Sequence, residues 1–182
     1  MINSLLDFVY VEKSLPDSTC KDLIKKIQNS KWEKHFWSNR SSEYVNSNET
    51  DLQIYYAKKE EQDFLLPFVT KSLSNYLKKI NRLGLVQMIT DIRFNKYEIG
   101  EEMKEHVDTI PLGEKGKYSG VPLISIIGNL NNDYEGAELY INDEQILLDT
   151  GSIVFFPSTF LYPHKVKPTT KGVRYSFVSW AY

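Results

Sequence analysis

Met88-Ile-Thr-Asp-Ile-Arg-Phe-Asn-Lys-Tyr97 (MITDIRFNKY) lies where the chain changes its period. Upstream, apolar residues recur at helical spacing; from about Gln87 onward they fall into short strand-like runs separated by turn residues. Met88–Tyr97 is itself one strand candidate. The others are Val121–Leu130, Ala137–Asn142, Gln145–Leu148, Ser152–Pro157, His164–Pro168 and Val173–Ala181. Glu135-Gly136 and Thr150-Gly151 supply turns between them. Several short strands at close spacing predict a sandwich or jelly-roll barrel.

Working outward towards the N-terminus, Pro16-Asp17-Ser18 reads as a helix start, with Cys20, Leu23, Ile24 and Ile27 on one face. A longer helix is predicted from about Glu60 to Arg82, with Phe64, Leu65, Phe68, Val69, Leu73, Leu77 and Ile80 aligned. Pro67 is either tolerated in it or breaks it. Leu5–Val11 reads as an edge strand or entry segment, Leu52–Ala57 as a strand, and Trp32–Thr50 as loop with a short strand. There is no internal repeat, low-complexity tract or linker. The fold class is therefore α+β, mainly β. One domain is expected over residues 1–182, with helical support and outer strands in 1–87 and the β core in 88–182.

A chain of 182 residues can bury a substantial core, and 41% hydrophobic with 25% charged residues is ordinary for a globular protein. A formal net charge of -2 offers no bulk attraction for nucleic acid. The lone Cys20 rules out an intramolecular disulfide and a cysteine zinc cluster, and fits a reducing compartment. The opening MINSLLDFVYVEKSLPDS lacks a basic leader and is interrupted by Asp7, so it does not read as a signal peptide. No apolar run has the length of a membrane span. A cytoplasmic protein is expected.

The chemistry concentrates at His106-Val107-Asp108. Residues two apart on a strand project to one face, so His106 and Asp108 can grip one ion together. A third ligand, His164, would come from a later strand. Two histidines and one carboxylate leave open coordination positions and suit non-haem Fe(II). A histidine-x-acid pair alone is weak evidence, and a surface hydrogen-bonded pair is its plain alternative. The added weight comes from Arg174 and Ser176, two apart on the last strand, which would make a carboxylate clamp. A guanidinium fork matches a carboxylate with paired hydrogen bonds. Iron ligands at one end and such a clamp at the other imply a 2-oxoglutarate site. The remaining histidine, His35, has no partner motif and reads as structural or surface.

At these residues the sequence resembles the 2-oxoglutarate- and Fe(II)-dependent dioxygenases, in particular the prolyl 4-hydroxylase-like branch. The resemblance runs over roughly residues 88–182. It is carried by Tyr97-x-x-Gly100, His106-x-Asp108, Ile126-Ile127-Gly128-Asn129-Leu130-Asn131, Glu135-Gly136-Ala137-Glu138-Leu139, Gly151-Ser152-Ile153-Val154-Phe155-Phe156-Pro157, His164-Lys165-Val166-Lys167-Pro168, Gly172-Val173-Arg174-Tyr175-Ser176 and Trp180. It implies a double-stranded β-helix (jelly-roll, cupin-like) core flanked by N-terminal helices. It further implies Fe(II) held by His106, Asp108 and His164, and the C5 carboxylate of 2-oxoglutarate held by Arg174 with Tyr97 and Ser176 in support. O2 is the other co-substrate, succinate and CO2 are the co-products, and ascorbate is an accessory reductant.

Three departures stand out. Asn129 replaces a tyrosine often found before the leucine, so another group must serve the co-substrate there. Gly136-Ala137 replaces a glycine pair. Arg174 stands where collagen-type members carry lysine. The expected activity is hydroxylation of a prolyl residue in a protein or peptide. The alternatives are hydroxylation of a free amino acid or other small molecule, and a non-catalytic β-helix domain that binds a ligand or protein. Nucleic-acid demethylation is disfavoured, because Tyr175–Tyr182 lacks the second arginine typical of that branch. Thr109–Gly120 reads as a lid or a plain connector, and Trp37–Thr50, with Tyr44, as a wall of the substrate groove or as aromatics in simple core packing. Trp180 and Tyr175 are assigned to packing.

Overall fold

A computed structural model describes residues 4–35, 37–38, 44–45, 51–109 and 121–182, without side-chain detail for 37–38 and 44–45. The expected lid, apart from Thr109, and the expected groove wall at Tyr44 lie outside the described side chains. In chain order the strands are β1 (Tyr10–Lys13), β2 (Glu33–Lys34), β3 (Trp37–Ser38), β4 (Tyr44–Val45), β5 (Gln53–Tyr56), β6 (Arg93–Tyr97), β7 (Met103–His106) and β8 (Ile124–Asn129). They continue with β9 (Glu135–Gly136), β10 (Leu139–Ile141), β11 (Glu144–Ile146), β12 (Ser152–Pro157), β13 (His164–Val166), β14 (Thr169–Lys171) and β15 (Arg174–Ala181). Helix α1 spans Asp17–Ile27 and α2 spans Lys59–Lys79.

The larger sheet has seven strands in the order β1-β12-β8-β15-β6-β5-β2, and the smaller has four in the order β11-β10-β13-β7. Every pairing within these two sheets is antiparallel. The central strands are buried on both faces, which explains why SIVFFP and ISIIGN read as nearly continuous apolar runs. Alternation divides them. Ile153, Phe155, Ile126 and Phe177 join a core with Leu23, Ile27, Leu65, Val69 and Tyr76 of the two helices. Val154, Phe156, Ile127 and Val178 face the other way and pack with Leu139, Ile141, Met103 and Val166 from the smaller sheet. The result is a helical layer, a large sheet and a small sheet, with the second core between the sheets. This is the predicted α+β, mainly β jelly-roll arrangement.

Differences from the sequence reading have local causes. Leu5–Val11 is not one strand: Ser4 Oγ accepts from Leu6 N and Asp7 Oδ2 from Ser4 N, closing a 3-10 turn over Leu5–Phe8 before β1 starts at Tyr10. Met88–Tyr97 forms a regular strand only from Arg93. The Trp180 N–H goes to Thr90 Oγ1 and the Ile92 N–H to Gln62 Oε1, so side chains take the donors a continuous ladder would use. Ile89 keeps an isolated bridge to Ala181. Pro67 does not break α2, which runs through it. The strand expected to carry both His106 and Asp108 is β7, but it ends at His106 and leaves Asp108 just beyond it. No helix among the described residues is long and apolar enough to cross a membrane.

Gly128 of β8 lies opposite Phe177 of β15, whose ring occupies the space a side chain would need: a Cβ there would sit 2.0 Å from Phe177 Cε1. Gly128→Ala should destabilise the protein by about 1–3 kcal/mol, or prevent folding, because the overlap can be relieved only by shifting a buried ring or a central strand. Chemical denaturation checks this; an unchanged midpoint would mean that Phe177 repacks freely.

Candidate metal and co-substrate site

The register between β7 and β13 builds the centre of the site by placing His164 opposite His106. Their ring centroids lie 4.2 Å apart. Asp108, just past β7, turns its carboxylate between them, with Oδ1 3.5 Å from His106 Nε2 and Oδ2 3.6 Å from His164 Nε2. One ligand atom from each of the three residues lies within 4.8 Å of the others. His106 Nδ1 sits 2.8 Å from the Lys104 carbonyl and His164 Nδ1 3.1 Å from the Tyr162 carbonyl. Such carbonyl contacts favour the proton on Nδ1 and leave the Nε2 lone pairs towards the shared centre.

The electrostatics suit a cation. Burial pushes the His164 imidazole down, against the opposing pull of Asp108, and favours its neutral, ligating form. Burial also pushes the Asp108 carboxyl up, but hydrogen bonding to His106, the charges of His164 and His106, and the Ser125 hydroxyl outweigh it. The carboxyl is held well below the usual carboxylate range. Ser125 Oγ donates to Asp108 Oδ2 at 2.6 Å and Trp180 Nε1 donates to the same oxygen at 2.9 Å. Trp180 is thus more than packing: its indole N–H holds the carboxylate. Tyr175 does take a packing place, against the helix-side core. Two imidazole nitrogens and an oriented carboxylate, all offered to one point, fit a divalent first-row metal such as Fe(II).

The other end of the same cavity holds Arg174, only 1% exposed. Its Nε donates to Asn129 Oδ1 at 3.2 Å and its guanidinium lies over the Tyr97 ring, 5.3 Å from the centroid. Among the described residues no carboxylate pairs with it. A buried guanidinium without a counter-charge is costly, so an anionic ligand is the natural complement. Ser176, two residues along β15 and 1% exposed, has a buried hydroxyl without a hydrogen-bond partner. The departure at Asn129 acquires a role here, because its amide oxygen orients the guanidinium.

The cavity measures about 370 Å³ and also receives Arg93, Asn95 and His35. Arg93, Asn95 and Tyr97 alternate along one face of β6, a signal present in the sequence but passed over. Of the two readings of His35, structural or surface, burial agrees with the structural one. Burial first, then the charges of Arg93 and His106, push its imidazole down to about 3, so it is neutral at ordinary pH.

The model of the 2OG-Fe(II) oxygenase superfamily matches residues 92–182, half of the chain. The chain belongs to this superfamily. Among curated relatives, a PKHD-type hydroxylase of Aliarcobacter butzleri is 32% identical over 126 residues, covering 59% of this chain and 55% of that protein. Another, of Delftia acidovorans, is 33% identical over 98 residues, covering 50% of this chain and 42% of that one. The chain thus spans about half the length of the curated relatives it matches. Among solved structures, a Pseudomonas putida prolyl-4-hydroxylase superposes with a TM-score of 0.69 at 16% identity, over 95% of this chain and 91% of that one. A prolyl hydroxylase of Trichoplax adhaerens, in complex with a hypoxia inducible factor peptide fragment, gives 0.70 at 17%, over 97% and 84%. The shared fold is the double-stranded β-helix of these enzymes. Fe(II) and 2-oxoglutarate are the metal and co-substrate of the superfamily, and the donor set and buried guanidinium are of the kind they require.

Trp180→Phe keeps the ring and removes the N–H. It should weaken Mn(II) or Fe(II) binding about ten-fold or more with little change in melting temperature, as should Ser125→Ala. Metal titration with thermal melting checks this, and unchanged affinity would return Trp180 to a packing role.

Proposed function

We propose that this chain is an Fe(II)- and 2-oxoglutarate-dependent dioxygenase that hydroxylates an unactivated C–H bond of a prolyl residue in a protein or peptide. The observation that carries the proposal is one cavity shared by the cluster His106, Asp108 and His164 and by Arg174, a buried guanidinium with no carboxylate partner among the described residues. In this reading His106 and His164 bind the metal through Nε2 and Asp108 through the oxygen that Ser125 and Trp180 leave free. Arg174 holds the C5 carboxylate of 2-oxoglutarate, with its fork aimed by Asn129 and flattened on Tyr97. The Ser176 hydroxyl supplies the hydrogen bond it does not spend within the protein. Bound iron and 2-oxoglutarate supply the oxidising chemistry, consuming O2 and releasing succinate and CO2 as oxygen enters the C–H bond. Apolar walls from Ile127, Leu139, Val166 and Val178 exclude water around the reacting groups. The preference for a prolyl substrate rests on the likeness to prolyl hydroxylases, one of them holding a peptide.

The test is succinate formation by iron-loaded protein given 2-oxoglutarate, O2 and ascorbate, with and without proline-rich peptides. Peptide-stimulated turnover is expected; turnover indifferent to peptide would exclude the prolyl substrate. His164→Ala and Asp108→Ala should each abolish succinate formation, and retained turnover would remove that residue from the metal shell. Arg174→Ala should weaken 2-oxoglutarate binding by about ten- to hundred-fold while metal affinity changes far less. Equal affinity in both proteins would dismiss the clamp.

A further inference from the structure

The cavity contains a second guanidinium that the reaction outlined above leaves without a task. Arg93 of β6 is half-buried and lines the same space as the His-Asp-His cluster. Its flat face lies over the Trp180 ring, 5.4 Å from the centroid, and its Nε donates to Asn95 Oδ1 at 3.2 Å. The Tyr56 hydroxyl, opposite it across the β5–β6 pairing, sits beside another of its N–H groups. No carboxylate among the described residues forms an ion pair with it. Asp91 lines the same cavity but is exposed, and the Asp108 carboxylate, whose charge acts on Arg93 without an ion-pair contact, takes its hydrogen bonds from Ser125 and Trp180. Stacked on one face and tethered at Nε, the fork is held rigid with N–H donors to spare.

Position separates this cation from the co-substrate clamp. Arg174 pairs in register with Tyr97, and Arg93 lies four residues further along β6, about 13 Å at the usual rise per strand residue. Trp180, beneath Arg93, is the residue that holds Asp108, so Arg93 stands beside the metal cluster on the side away from Arg174. A divalent iron, the 2-oxoglutarate dianion, Asp108 and Arg174 are together neutral. Arg93, which no carboxylate among the described residues contacts directly, can therefore receive an anionic group.

We propose that Arg93 is the substrate-recognition residue of this site and that the substrate presents a carboxylate to it, close to the C–H bond that is hydroxylated. This rests on the oxygenase reading and narrows its substrate class. The carboxylate belongs either to a free amino acid or to an acidic residue beside a prolyl residue in a peptide, and Arg93 reads the same fork of oxygens in both.

Matched pairs test it: L-proline against L-prolinamide, and the capped peptide Ac-Ala-Pro-Asp-Ala-amide against its Asn counterpart. Binding to the Zn(II)-loaded protein, the diamagnetic stand-in for Fe(II), is read by saturation-transfer NMR without O2, with and without 2-oxoglutarate. In at least one pair the acid should bind about ten-fold or more tighter than the amide. The pair that discriminates identifies the source of the carboxylate. Arg93→Gln should erase the difference. Arg93→Lys, which keeps the charge and loses the fork, should retain part of it and serves if R93Q does not fold. Equal binding of acid and amide, binding of neither acid, or discrimination that persists in R93Q would overturn the proposal. Because the comparison is also read without 2-oxoglutarate, failure of co-substrate binding would count against the oxygenase reading alone.

Discussion

The antiparallel pairing of β13 with β7 brings His164 and His106 face to face, and the rest of the site is arranged around that contact. Neither histidine could be held there by its own strand. Each short strand has few neighbours, and the carbonyls of Lys104 and Tyr162, with Asp108 between the rings, help to fix the orientations of the imidazoles. Asp108 then links this small sheet to the large one, because its carboxylate takes donors from Ser125 on β8 and Trp180 on β15. Moving one sheet against the other would separate the carboxylate from those donors or from the histidines. The candidate metal site between the two sheets is thereby tied to both.

Charge placement follows the same layered logic. Two guanidiniums sit on the inner face of the large sheet, each stacked on an aromatic ring: Arg174 on Tyr97 and Arg93 on Trp180. Each also gives its Nε–H to an asparagine amide oxygen, Asn129 in one case and Asn95 in the other. Neutral amide partners orient a cation without cancelling it. A carboxylate at either position would stabilise the folded chain more and leave nothing for a ligand. Such unmet charge is a cost to stability that a binding site tolerates, and the thick apolar core between helices and sheet offsets it.

Much of this was readable in the chain itself. The change of period near Gln87, the apolar runs ISIIGN and SIVFFP and the turn signals determined a mainly β core behind N-terminal helices, because side-chain alternation and burial are local consequences of strand geometry. The spacing of His106 and Asp108, with His164, Arg174 and Ser176 downstream, determined which residue types were available for a metal and a carboxylate. What only the tertiary structure decided was which residues meet. Trp180 looked like core and proved to hold Asp108; His35, which read as structural or surface, lines the cavity; Arg93 gained significance only from the ring beneath it and the cavity before it. Those facts depend on strand register and on contacts between distant residues, such as Trp180 and Asp108, 72 positions apart in the sequence, which no local pattern encodes.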